Sequence, residues 1–107
     1  MTKVYIAGPM TKGCIRTNVR VALAAATELA DAGFAPIVPH LSHFWDMMYP
    51  RPYEYWMKID FEWLAACGAL LRLPGESSGA DREVAKAQEL GIPVFYSVQE
   101  LVNFFKE

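Results

Sequence analysis

The chain has 107 residues, 53% of them hydrophobic, and its ten basic and twelve acidic side chains give a formal charge of −2. That length holds one domain around a single core. No apolar run approaches the roughly 20 residues a membrane helix needs, and no basic run marks a nucleic-acid polymer as a partner.

The opening Met-Thr-Lys leads directly into a strand pattern with no signal peptide, so the chain reads as cytoplasmic. Its two cysteines, Cys14 and Cys67, lack a CxxC partner and are expected to be free thiols.

In chain order, strand and helix patterns alternate. Lys3 to Ala7 is a short β-rich run that ends at Gly8-Pro9, and a loop continues to Arg16. Thr17 or Asn18 can cap a helix from Val19 to Ala32, whose apolar positions are Val19, Leu23, Ala26, Leu29 and Ala30, closed by Gly33. Phe34 to Val38 is a second strand. Pro36 within it points to a sheet edge, because proline cannot donate to an inner ladder.

His40 to Pro52 shows no clear periodicity and is expected to be a long loop with room for one helical turn, the kind of segment that often works as a lid. Within it His40 and His43 are spaced like two metal ligands, but no third ligand accompanies them, so neither a metal nor an organic cofactor is expected. Trp45, Met47, Met48 and Tyr49 form an apolar cluster suited to core, to a lid that stacks on a base, or to a dimer surface. Tyr53 to Cys67 reads as a helix with an apolar stripe of Trp56, Ile59, Trp63 and Leu64. Asp60 lies beside that stripe, either as a solvated neighbour of the core or as a functional acid in a partly apolar setting.

Ala69 to Leu73 is a third strand. The loop Pro74 to Gly79 follows it, and then a helix from about Ala80 to Leu90, stopped by Gly91. This loop is rich in small residues, so its backbone N–H groups can approach a ligand and the hydroxyls of Ser77 and Ser78 can donate to it. Glu83 is expected in or near the first turn, where the helix dipole favours an ionised carboxylate. A carboxylate beside such a cradle can attack a sugar carbon, although the same residue types also serve as ordinary caps and turns. Ile92 to Tyr96 is a fourth strand, and the capping-box pattern Ser97-Val-Gln-Glu100 opens a last helix, Val98 to Phe105.

Connections of this length between strands imply parallel βαβ units with right-handed crossovers. The expected fold is an α/β three-layer sandwich of the flavodoxin or Rossmann type, with a parallel sheet of four or five strands and the first strand central. Ligands of such sheets bind beyond the carboxyl ends of the strands. That edge gathers the loops 8–13, 39–43 and 74–79, and with them Tyr5, His40, Ser77 and Glu83.

A family resemblance rests on Tyr5-Ile-Ala-Gly-Pro-Met10, Asn18, Asp60-Phe-Glu-Trp-Leu64, Ser77-Ser-Gly-Ala80 with Glu83 and Ala87, and Gly91-Ile-Pro-Val94. In that order the chain resembles the nucleoside 2-deoxyribosyltransferase-like superfamily over nearly its whole length. The Asp-x-x-Trp-Leu helix and the Ser-x-Gly-x-x-x-Glu loop are similar to the 2'-deoxynucleoside 5'-monophosphate N-glycosidases. The opening motif is closer to an uncharacterised, often phage-associated branch.

The resemblance implies that Glu83 is the nucleophile that forms a glycosyl-enzyme intermediate, that Asp60 is the second acid assisting departure of the base, and that Tyr5 orients the nucleophile. It implies that His40 lies in the site, that Ser77 and Gly79 hold the 5' end, and that Gly8, Pro9, Met10 and Asn18 are further substrate contacts. It also implies a homodimer that completes the site, in keeping with the aromatic surplus. The N-glycosidase branch carries a serine and an arginine where this chain has Pro9 and Thr11, so the phosphate's charge partner falls to Lys12 or Arg16. Gly68 replaces an acid, and the region 43–55 has no counterpart and is expected to shape the base pocket or the partner surface. The expected activity is cleavage or transfer at the N-glycosidic bond of a nucleoside or nucleotide. The competing expectations are a catalytically silent nucleotide-binding or sensing module and an assembly partner with a vestigial cleft.

Overall fold

The computed structural model describes residues 1–106. Its elements run β1 (Lys3–Ala7), α1 (Ile15–Asp31), β2 (Ala35–Ile37), a 3-10 turn (Pro39–Leu41), α2 (Ser42–Met48), α3 (Tyr53–Ala65), β3 (Ala69–Arg72), α4 (Ser78–Glu89), β4 (Val94–Phe95) and α5 (Val98–Phe105). The four strands form one sheet in the order β2-β1-β3-β4, with every pairing parallel. This is the expected α/β architecture with the lower expected strand number, and β1 is an interior strand. β2, which carries Pro36, is an edge, as a residue without an N–H requires.

The pleat of β1 divides the core. Val4 and Ile6 point to a cluster with Ala22, Ala26 and Leu29 of α1 and Leu101 of α5. Tyr5 and Ala7 point to the opposite cluster, with Leu64 of α3 and Ala80 and Ala87 of α4. Alternation along a strand fixes this partition, and it sends the phenol of Tyr5 to the α3–α4 side.

Several local expectations are corrected. α1 begins at Ile15 with Cys14 as its N-cap and no side-chain cap bond. Asn18 lies inside the helix and turns back to the preceding loop, and Thr17 caps nothing. The buried face of α1 is Ala22, Ala25, Ala26 and Leu29, with Leu23 and Ala30 in solvent. The segment taken for a loop holds the 3-10 turn and α2, a helix with no buried residue. Trp63 is largely exposed, and the inner face of α3 is Trp56, Met57 and Leu64. The last helix starts as expected. Ser97 Oγ accepts from the Glu100 N–H at 3.1 Å, and Glu100 Oε1 accepts from the Tyr96 N–H at 3.0 Å.

Candidate functional site

At the carboxyl edge of the sheet a cleft of about 670 Å³ opens between the loop after β1, the α2–α3 hairpin and the start of α4. Glu83 and Asp60 both line it. Glu83 is the sixth residue of α4, a turn beyond the helix start. Ser77 is the N-cap, its Oγ accepting the Ala80 N–H at 3.0 Å, and Asp81 is the first-turn acid. The expectation that the helix start sustains the charge of Glu83 is therefore corrected, because a macrodipole acts within the first turn.

What reaches Glu83 instead is Tyr5. The phenol is fully buried, and its Oη donates to Glu83 Oε2 at 2.5 Å. Burial, and then the neighbouring carboxylates, push the phenol's pKa up, so it remains a donor. Burial also raises the Glu83 carboxyl, to about 7, against the opposing effect of the Tyr5 bond and of the Arg72 and Arg82 charges. Asp60 is raised to about 7 by burial. Two coupled acids in this range share a proton near neutrality. The Asp60 charge adds to the rise at Glu83, while the charge-stabilising partners, Tyr5, Arg72 and Arg82, all act on Glu83 and none on Asp60.

Of the other residues singled out in the sequence, Gly8, Met10, His40, Ser77 and Gly79 line the cleft. Pro9 and Asn18 do not line it. Asn18 Nδ2 donates to the carbonyls of Met10 (2.9 Å) and Lys12 (2.7 Å), which holds the β1–α1 loop in place. His40 Nε2 contacts the Pro9 carbonyl at 3.2 Å and must be the donor, since a carbonyl only accepts. Burial lowers the pKa of this histidine, opposed by the Pro9 and Gly8 carbonyls. Gly75, at φ +114°, brings its backbone against Pro9, where a Cβ would meet the proline ring at 2.7 Å. The loops after β1 and β3 are thus joined directly. Of the two cations considered for phosphate, Lys12 lines the cleft and makes an exposed pair with Glu76 at 3.4 Å.

The wall that α2 and α3 supply falls largely in the region expected to shape a base pocket, but Asp46, Arg51, Tyr53 and Trp56 were not singled out as lining it. Tyr53 could have been found from spacing, since Tyr53, Trp56, Met57 and Asp60 repeat at i, i+3, i+4, i+7. Asp46 carried no such signal.

The family described as "Domain of unknown function (DUF4406)" matches residues 2–96. The chain belongs to this family. No curated protein matches the DUF4406 chain.

Among solved structures it is similar to a 2-deoxyribosyltransferase from the psychrotolerant bacterium Bacillus psychrosaccharolyticus. There the identity is 20% and the TM-score 0.61, over 86% of this chain and 69% of that one. A conserved protein from Enterococcus faecalis V583 aligns at 19% identity and TM-score 0.69, over 88% of this chain and 61% of that one. The DUF4406 chain therefore spans less than two thirds of the second protein. At these identities the two structures establish a shared fold.

Proposed function

We propose that the cleft cleaves the N-glycosidic bond of a nucleoside or nucleoside 5'-monophosphate, with Glu83 as nucleophile. The observation that carries this reading is the buried Tyr5–Glu83 hydrogen bond in a cleft that Asp60 also lines. Glu83 attacks the anomeric carbon as the carbon–nitrogen bond breaks, and the bonding pair leaves with the base. Asp60, protonated, gives its proton to the departing nitrogen. The transition state is oxocarbenium-like, and an adjacent carboxylate stabilises it. Water, or the nitrogen of a second base, then attacks the glycosyl ester at the anomeric carbon, frees Glu83 and returns a proton to Asp60.

The free N–H groups in the first turn of α4, beside Ser77 and Gly79, suit the 5' end of the sugar. The likeness to a 2-deoxyribosyltransferase fold supports the reading, and the nucleoside substrate of that protein is proposed for this one.

Base release from a panel of deoxynucleosides and their 5'-monophosphates, followed by chromatography, tests the proposal. Glu83→Gln retains shape and an acceptor for Tyr5 but removes the nucleophilic charge. We expect turnover to fall by at least about 10³-fold while substrate binding persists. Base release at the parental rate by this variant would overturn the assignment.

A further inference from the structure

The α2–α3 wall carries a recognition feature that the proposed chemistry does not use. On α3, Trp56 and Met57 face the cleft one turn before Asp60. A base within reach of the Asp60 proton therefore lies against these two residues. The Trp56 ring is fixed edge-on against Trp45 and Tyr55, with centroids 4.9 and 5.1 Å away. Its one polar atom, Nε1, donates to Asp46 Oδ1 at 2.8 Å. The same oxygen accepts the Arg51 backbone N–H at 3.0 Å. Asp46 Oδ2 accepts no hydrogen bond among the described residues, and Asp46 lines the cleft.

The two donors on Oδ1 hold the carboxyl's pKa below its usual range, with Arg51 contributing most. Asp46 is thus an ionised group, and an ionised carboxylate only accepts. Whatever meets Oδ2 must supply an N–H or O–H. A carbonyl in that place would set lone pairs against lone pairs, and the free carboxylate oxygen would lose water without replacement.

Resting on the N-glycosidic reading, we infer that Asp46 is a specificity-determining residue that selects nucleobases with an exocyclic amino group over their oxo counterparts. The amino N–H donates to Oδ2 while the flat face of the base lies on Trp56 and Met57.

The distribution of hydrogen bonds provides a clean variant. In Asp46→Asn the amide oxygen must remain at the Oδ1 position, because both protein groups there are donors, so only the free oxygen becomes an NH₂. The paired substrates are 2'-deoxyadenosine with 2'-deoxyinosine and 2'-deoxycytidine with 2'-deoxyuridine, each also as its 5'-monophosphate. In the parent, kcat/KM should favour the amino member by about 10- to 100-fold, the range of one hydrogen bond to a charged acceptor. In Asp46→Asn that preference should vanish or reverse, with an unchanged melting temperature. An amino-to-oxo ratio equal in parent and variant would reduce Asp46 to a tie between α2 and α3 and overturn the inference.

Calorimetric binding of the same compounds to Glu83→Gln, with and without Asp46→Asn, separates this inference from the reaction it rests on. An Asp46-dependent binding ratio without any base release in the parent would sustain base selection and sink the reaction. Base release with an Asp46-independent ratio would do the reverse. Failure to bind any of the compounds would overturn both.

Discussion

At the scale of single residues the site depends on a contact that joins opposite ends of the chain. Tyr5 on β1 and Glu83 on α4 are 78 positions apart. The types of both residues were legible, and so was their shared edge. The hydrogen bond from Tyr5 is the one the resemblance implies, whereas the stabilisation expected from the start of α4 is absent because Glu83 lies a turn inside that helix. Tyr5→Phe isolates this bond. It preserves the ring and removes the one donor that Glu83 has from a buried side chain. The proposed reaction needs ionised Glu83, so on that reading the rate is lost as pH falls through its pKa, which burial raises to about 7 in the parent. Loss of a bond to the charged form raises that pKa further. The acidic limb of the pH–rate profile should therefore move to higher pH, and kcat at neutral pH should fall by about 10- to 100-fold, as for a lost charge-assisted bond. An acidic limb unmoved in Tyr5→Phe would refute the coupling.

At the scale of elements, α3 and α4 are locked together beside the cleft. Arg82 makes a two-pronged pair with Glu54 at 2.9 and 3.0 Å, and its guanidinium lies over the rings of Tyr53 and Phe61 at 5.6 and 5.8 Å. This holds the Tyr53 hydroxyl where a Cβ on Gly79 would come within 2.7 Å of it. Position 79 is glycine because Tyr53 fills that space. Gly79→Ala should displace Tyr53 and reduce base release, with stability within about 1 kcal/mol of the parent, since alanine is the better helix former. Adding Tyr53→Phe removes the clashing oxygen and should recover part of the lost rate. A double variant no better than Gly79→Ala alone would argue against this packing.

The elements differ in how far they could be read in advance. Alternating strands, α4 and the capping box of α5 announce themselves through buried stripes and punctuation. α2 buries nothing, so it has no apolar periodicity to detect, and Pro39, Pro50 and Pro52 around it resemble loop chemistry. That this segment could border a base pocket was legible, but its helical form and the part Asp46 takes in the wall were not.

At the scale of the whole molecule, the side chains left uncovered are concentrated on that same hairpin. Phe44, Trp45, Met47, Met48 and Tyr49 are each more than half exposed. Five large apolar side chains within six residues are more than a domain usually leaves to water, and a domain this small has little core in which to hide them. From residue 44 to 49 the only charge is Asp46, whose Oδ1 is already engaged by Trp56 and Arg51. With so little charge to repel a like surface, a second copy of the chain is the partner proposed for this face. Met48, 75% exposed and outside the cleft lining, is the position to test. Light scattering on the parent should give the mass of a dimer at micromolar concentration. Met48→Glu should shift it to a monomer without loss of helical signal, because the interface would then have to bury an unpaired charge. A parent that remains monomeric at the highest attainable concentration would exclude the dimer, and the aromatic face would then need a different partner.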